Sequence, residues 1–358
     1  MINLQKYYYT IRITLKDQNT KIKIGFTVGD MNGVGPEILL TSLSDQRLLD
    51  LLTPVIYGPV QNLIFVSKKI GLNLSFNSII NASEAKPNLI NVIDNYTDPP
   101  NITFGKLDKD VGLLAFRSIE KSVIDLKKNL VDVLVTAPIN KEAIHSKEFS
   151  FMGHTDYIDS QVDGEAIMMM VSDELKVALL TEHIPVSEVA KQISEDLVVK
   201  KIKKLHKTLI RDFDIEKPKI AILSIDPHAG DNGVIGNKDK AVLAPTIKAL
   251  YDSGLLVFGP FPSDSFFGSG EYKKFDLIVA SYHDQGLIPF KTLSFGMGVN
   301  YTSGLREIRT SPDHGTAYGI AGKGAANKDS FLSSIYLAVD IFKRRKVYDQ
   351  LLQNKLVK

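Results

Sequence analysis

Three histidines carry the strongest chemical signal in this sequence. His183 in "TEHIP", His228 in "DPHAG" and His283 in "YHDQG" each follow a short apolar, β-forming run. A neutral imidazole is a metal ligand, and three converging on one point can hold a divalent ion while leaving a position for substrate. They stand 45 and 55 residues apart, so no local spacing motif supports that reading. Taken singly, each reads more simply as a strand-end residue that bonds a backbone carbonyl. Their matching positions keep the ligand reading open. The chain has no cysteine, so disulfides, thiolate ligands and a thiol nucleophile are excluded, and any transition metal must rely on His, Asp or Glu.

A second group of residues suits an anion. "FMGHTDYI" (151–158) offers the His154 imidazole, the Thr155 hydroxyl and the Gly153 N–H. "PFKTLSFGMGVNYTSGLREIRTS" (289–311) sets Lys291, Asn300 and Arg309 among glycines. Ammonium acts as a point charge and guanidinium as a planar fork, and both suit phosphate or carboxylate. Each of these charges alone reads equally as a solvated surface group.

Two glycine-rich segments stand out. "VGDMNGVGPEI" (28–38) runs from strand to turn to helix start, with Pro36 in the first helical turn. It is not the G-x-G-x-x-G dinucleotide fingerprint, and its glycines suit either close approach to a ligand or a tight structural turn. In "DHGTAYGIAGKGAANKDS" (313–330), small residues after His314 would let a flat cofactor lie on the backbone, or equally let helices pack closely. Met168, Met169 and Met170 read as core packing.

The elements that must hold these residues are legible. Apolar runs "KIKIGFTV", "TPVIYG", "VDVLVTA", "KVALLT", "KIAILSI" and "FDLIVAS" each end in a polar turn. Between them lie segments with apolar residues at three- and four-residue spacing, such as 112–130 and 194–213. Continuous apolar strands alternating with amphipathic helices indicate an α/β fold with a largely parallel, doubly covered sheet. Ligands of such sheets bind beyond the carboxyl ends of the strands, and parallel strands would aim the three histidines at one edge.

At 358 residues the chain is long enough for two domains. Forty-three basic against 41 acidic residues leave a net charge of +2, which argues against nucleic acid and membrane surfaces as partners. No apolar stretch approaches the roughly 18 residues of a membrane span. Residues 1–20 lack a signal-peptide core and read as an N-terminal extension. A cytoplasmic enzyme is expected.

At these residues the chain resembles the 4-hydroxythreonine-4-phosphate dehydrogenase family of pyridoxal phosphate biosynthesis. "GHTD", "DPHAGDNGVIG", "GPFPSD", "YHDQGLIPFK", "GVNYTSGL" and "IRTSPDHGTA" occur in the family's order, between about Lys23 and Lys343. "GVGPE" and "HGTAYGIAGKGAAN" are distantly similar to isopropylmalate and isocitrate dehydrogenases. The resemblance implies a two-domain, metal-dependent decarboxylating dehydrogenase-like fold with mostly parallel sheets, distinct from the Rossmann fold. One domain would comprise 21–137 with 310–358 on the cofactor side, the other 138–309 on the metal, substrate and dimer side.

It further implies a homodimer with active sites shared across the interface. His183, His228 and His283 match the family's ligands to a divalent ion (zinc, magnesium or cobalt), which come from both partners. His154, Thr155, Lys291, Asn300 and Arg309 match its substrate-binding residues, with Lys291 contacting phosphate or relaying a proton. His314, Gly315, Thr316, Ala317 and Asn327 would line the site of NAD, or of NADP in its place. Asp264 and Asp284 would orient ligand imidazoles. The implied reaction is oxidation of 4-phosphooxy-L-threonine and decarboxylation to 3-amino-2-oxopropyl phosphate.

Two segments depart from the family. "GDMNGVGPE" replaces a more usual Glu-Pro-Ala form, and "TEH" replaces Thr-Thr-His. Relatives with this pattern act instead on threonate or erythronate 4-phosphate, and others on aromatic dihydrodiols. An acyl-phosphate transferase on a related architecture is the alternative outside the oxidoreductases.

Overall fold

The computed structural model describes residues 21–354 apart from Met152 and Phe295. The extension 1–20 lies outside the described residues. Among the described residues twelve strands form one sheet: β1 (Ile22–Thr27), β2 (Leu52–Tyr57), β3 (Phe76–Ile79), β4 (Ile90–Ile93), β5 (Val133–Thr136), β6 (Gly164–Val171), β7 (Lys176–Leu179), β8 (Ile220–Leu223), β9 (Val257–Phe261), β10 (Leu277–Ala280), β11 (Val299–Leu305) and β12 (Arg309–Pro312). The principal helices are α1 (Gly35–Leu43), α2 (Lys109–Lys127), α3 (His154–Gln161), α4 (Glu195–Phe213), α5 (His283–Ser294) and α6 (Asp329–Gln353). Among the described residues, no helix is long and apolar enough to cross a membrane.

Local chemistry sets the helix limits. Ser194 caps α4 by accepting from Leu197 N, and Val198, Ile202, Leu205 and Leu209 then bury one stripe. Each such side chain contributes roughly 1.5–3 kcal/mol by leaving water. α2 starts earlier than its apolar spacing alone suggests, because Asp108 caps the amides of Asp110 and Val111. It ends before Asn129, whose φ of 55° is left-handed.

The strand order is β3-β4-β2-β1-β5-β12-β11-β6-β7-β10-β8-β9. Pairing is parallel throughout except at β12–β11, β11–β6 and β6–β7. Three successive reversals turn the β7-β10-β8-β9 set against the β3-to-β12 set. Carboxyl ends of the two sets therefore face opposite ways, which a uniformly parallel sheet does not allow.

Register makes that reversal useful. β5 ends at Thr136, level with Ser311, Asn300 and Met170. β7 ends at Leu179, level with Met168, two residues away along β6. Two strand residues span roughly 7 Å, so the opposed carboxyl ends stand at nearly the same level on either side of β12, β11 and β6, in the middle of the sheet. The site lies on this face at the joint, not beyond one edge as the parallel-sheet expectation has it.

Candidate active site

A cavity of about 270 Å³ opens at the joint. Alternation along the strands puts Arg309 with Ser311, Asn300 with Thr302, and Met168 with Met170 on one face, and most of these line the floor. The methionines are buried as expected, yet Met168 and Met170 also form pocket wall. All five candidate substrate residues, His154, Thr155, Lys291, Asn300 and Arg309, line this one space.

Arg309 is the buried charged side chain among the described residues of the cavity lining. The side chain is 2% exposed, and its guanidinium has no carboxylate partner among the described residues. Nε and Nη2 donate to Thr136 Oγ1 at 3.0 and 2.6 Å, and Nη1 donates to Thr155 Oγ1 at 3.3 Å and Thr302 Oγ1 at 3.2 Å. Burial pulls its pKa down to about 9, so it remains cationic at neutral pH. His154, at the first position of α3, is pushed well below the usual histidine range by burial, then by the Arg309 and Lys141 charges. It is neutral at pH 7. A cation surrounded only by hydroxyls and a neutral imidazole forms a receptor for an anion.

The opposite wall carries imidazoles. The His183 and His283 rings lie 5.7 Å apart between centroids. His183 has a lowered pKa, first from partial desolvation and next from Lys141. Asp284 Oδ1 lies 2.7 Å from His283 Nδ1. Gln285 ties this corner together: its Oε1 accepts from Ser281 N at 2.6 Å, and its Nε2 donates to Ser224 O at 2.6 Å and Ser263 Oγ at 2.8 Å. Gly286 lets α5 sit down on the sheet, since a Cβ there would stand 2.8 Å from Val177 and 2.9 Å from Ala280. "HDQG" is thus a ring donor, its orienting carboxylate, a cross-link between three strand-end loops, and a close-packing glycine.

His228 does not join them within one chain. β8 runs parallel to β10 and β7 as expected, but the following turn is left-handed at His228, Ala229, Asp231 and Asn232 (φ 42–56°) and leaves His228 exposed. Among the described residues no group of three or more His, Cys, Asp or Glu side chains is gathered to hold a metal. Of the three candidate metal ligands, a single chain brings His183 and His283 to the pocket and leaves His228 exposed outside its lining. Asp264 is exposed and makes no hydrogen bond to an imidazole among the described residues.

Of the candidate cofactor residues, His314 and Gly315 line the cavity and Thr316, Ala317 and Asn327 do not. Asn327 Oδ1 accepts from Asp329 N at 2.7 Å, at the start of α6. The described residues contain four buried side-chain polar atoms without a partner: His154 Nε2, Asn300 Oδ1, His314 Nε2 and Glu307 Oε2. The first three belong to this cavity. Unpaired buried polar atoms are uncommon and costly, so their clustering marks a space shaped for a polar ligand.

Sequence reasoning missed Lys141, Thr136 and Gln285. Lys141 lines the cavity and its charge reaches both His154 and His183; the "PINK" turn after β5 was the available signal. Thr136 and Gln285 act through contacts with residues distant in sequence, for which no local signal exists.

A mixed α/β sheet whose joint unites a buried anion receptor with paired imidazoles defines a small-molecule enzyme class. The family model described as pyridoxal phosphate biosynthetic protein PdxA matches residues 50–338, and the chain belongs to that family. It is 44% identical over 331 residues to a 4-hydroxythreonine-4-phosphate dehydrogenase of Bacteroides thetaiotaomicron, covering 92% of this chain and 91% of that protein. It is 38% identical to a D-threonate 4-phosphate dehydrogenase of Cupriavidus necator, covering 90% and 98%. Among solved structures it resembles a 4-hydroxythreonine-4-phosphate dehydrogenase from Klebsiella pneumoniae at 35% identity and TM-score 0.78, covering 91% and 99%.

Proposed function

We propose that this protein is a dehydrogenase that oxidises the C3 hydroxyl of 4-phosphooxy-L-threonine and releases CO₂, giving 3-amino-2-oxopropyl phosphate. The buried, carboxylate-free Arg309 carries the proposal. Burying an unpaired charge costs several kcal/mol, and hydroxyl partners offset only part of that. Four of its five N–H groups already donate to Thr136, Thr155 and Thr302, so a substrate phosphate completes the guanidinium through its charge and the remaining Nη2 N–H, in a charge-assisted bond. Thr155 and Asn300 add polar contacts, and Lys291, exposed on α5, contacts the substrate phosphate or passes a proton.

His183 and His283 suit a divalent cation. Asp284 holds Nδ1 of His283 and leaves Nε2 free for it. The lowered pKa of His183 keeps that ring in the neutral, ligating form. The exposed His228 fits a third ligand donated to a second copy, so the active unit is a homodimer with shared sites. Small, partly exposed residues from His314 to Ala317, with the unpartnered His314 Nε2, fit NAD. When bound, the cation supplies Lewis acidity at the reacting hydroxyl and NAD supplies the hydride acceptor.

The similarity to the Cupriavidus necator protein favours D-threonate 4-phosphate as the second reading. Both compounds are phosphorylated hydroxy acids and differ at C2, where one carries an amine and the other a hydroxyl. Initial rates of NADH formation with each compound, with a divalent ion present, test the reading. The expected result is the higher kcat/KM for 4-phosphooxy-L-threonine. A higher value for D-threonate 4-phosphate reassigns the substrate, and no NADH with either overturns the proposal.

A further inference from the structure

The turn between β1 and α1, "GDMNGVGPE" (29–37), contributes nothing to the cavity wall. Its polar side chains nevertheless sit in the core: Asp30 and Glu37 are 1% exposed and Asn32 is fully buried. Asp30 Oδ2 accepts from Tyr318 OH at 2.5 Å. Asn32 Oδ1 accepts from Thr103 N at 2.8 Å, and its Nδ2 donates to Lys106 O at 2.9 Å. Glu37 grips two backbone amides, accepting from Gly322 N through Oε2 at 3.0 Å and from Ala326 N through Oε1 at 3.1 Å.

Close backbone contact adds to this grip. Val34 N donates to Thr316 O at 2.9 Å. Gly33 is obligatory here, since a Cβ would stand 2.8 Å from Thr316 O and 2.9 Å from Thr316 Cβ. Segment 313–327 is therefore held by this turn at Thr316, Tyr318, Gly322 and Ala326. The segment has little to hold itself: Gly315, Ala317, Gly319, Ile320, Lys323 and Gly324 are exposed. Ala317 (φ 43°) takes a left-handed conformation that a non-glycine residue adopts at a cost.

We infer that Glu37 is a positioning residue that holds segment 313–327 in the shape that receives the dinucleotide. The inference rests on the reading of that segment as the NAD site. Glu37 has no ion-pair partner among the described residues, so both its oxygens are committed to loop amides. A carboxylate bonded to N–H groups makes shorter, stronger bonds than a neutral acceptor. Its two contacts are four residues apart and close the segment into a loop against the N-terminal turn of α1. The glycines of the β1–α1 turn thus serve close packing, while the acceptor that matters is a side chain three residues after Val34.

Glu37→Gln is the informative variant, because the amide keeps the size but can accept at only one end and presents a donor at the other. Hydrogen exchange of the cofactor-free protein should speed up about tenfold across 318–327 and stay unchanged in β1 to β5. In steady state, KM for NAD should rise about tenfold, with kcat and KM for the phosphorylated substrate within about twofold. Tyr318→Phe, which cuts another tether without touching a charge on the loop, should loosen the same segment and serves if Glu37→Gln does not fold. Unchanged exchange across 318–327 in a folded variant overturns the inference. Faster exchange with an unmoved KM for NAD also overturns it. In that case, protection of 318–327 by NAD in the unmutated protein separates the two failures: protection leaves the cofactor reading standing, and its absence removes that reading as well.

Discussion

The two walls of the cavity are finished to different degrees. At one wall a single chain completes an anion receptor: Arg309, Thr136 and Thr302 stand on adjacent strands and are almost fully buried. At the other, His183 stands on the loop past β7 and His283 at the start of α5, and the exposed His228 lies outside the cavity lining. Strand positions are fixed by ladder register, so a side chain there is placed by the whole sheet. Segments past the strand ends are fixed by a few side-chain bonds, such as those of Gln285 to Ser281, Ser224 and Ser263, and can face solvent or another copy. The anion wall is built by the sheet of one subunit, whereas the proposed role of His228 makes completion of the imidazole wall a matter of association.

Breaking the imidazole wall should have the largest effect. His183→Ala or His283→Ala should reduce turnover by on the order of 10²–10³ or more, as loss of a charge-stabilising group does, with metal content falling in elemental analysis. The sharper test mixes inactive subunits. If His228 serves the partner's site, His283→Ala with His228→Ala forms mixed dimers with one intact and one doubly broken site. About a quarter of full activity should return after random exchange. His183→Ala with His283→Ala should give none, because their rings share one chain's pocket. Full metal occupancy in either single variant would remove that residue from the ligand set.

A smaller effect is expected at Asp284. Asp284→Asn leaves His283 in place but weakens the bond that orients it. Orienting partners are worth 10–100-fold in metal affinity, and this carboxylate is largely solvated. A loss of about tenfold is expected by metal-buffered titration. Affinity unchanged within twofold would show that the His283–Asp284 contact is incidental.

The smallest effect tests the anion wall through pH. His154 has a folded pKa below its unfolded value, so the unfolded chain takes up a proton that the folded one refuses. Its contribution is complete above about pH 6.5 and is lost as pH falls below it. Between about pH 7.5 and 5.5, the unmutated protein should lose about 1 kcal/mol more stability in urea than His154→Asn. Equal losses would place His154 in contact with water.

Much of this was legible in the chain itself. Strands β1, β2, β5, β7, β8 and β10, helix α4 and the strand-end placement of the histidines followed from apolar periodicity and turn residues, and the other six strands did not. Arg309, Lys291, Asn300, His154 and Thr155 were recognisable as anion-binding types, and the family motifs brought them together. The antiparallel joint was not legible, because β11 (VNYTSGL) mixes apolar residues with Asn, Thr, Ser and Gly and reads as loop, and the apolar run of β6 carries no mark of strand direction. The structural role of "GDMNGVGPE" was also hidden, since Glu37 reaches amides 285 and 289 residues away. His228 lies outside the cavity lining, in a left-handed turn that strand direction does not foretell.

The central claim is that Arg309 receives the substrate's phosphate. It is tested most directly by comparing Arg309→Lys with the unmutated enzyme on 4-phosphooxy-L-threonine and on unphosphorylated 4-hydroxy-L-threonine. A charge-assisted guanidinium–phosphate bond contributes roughly 1.5–3 kcal/mol, and lysine cannot keep the threonine contacts that place the guanidinium, so kcat/KM for the phosphorylated compound should fall about ten- to a hundredfold. The unphosphorylated compound, already poor, should be scarcely poorer. Equal proportional losses on both would contradict the account and assign Arg309 to the carboxylate or to the fold.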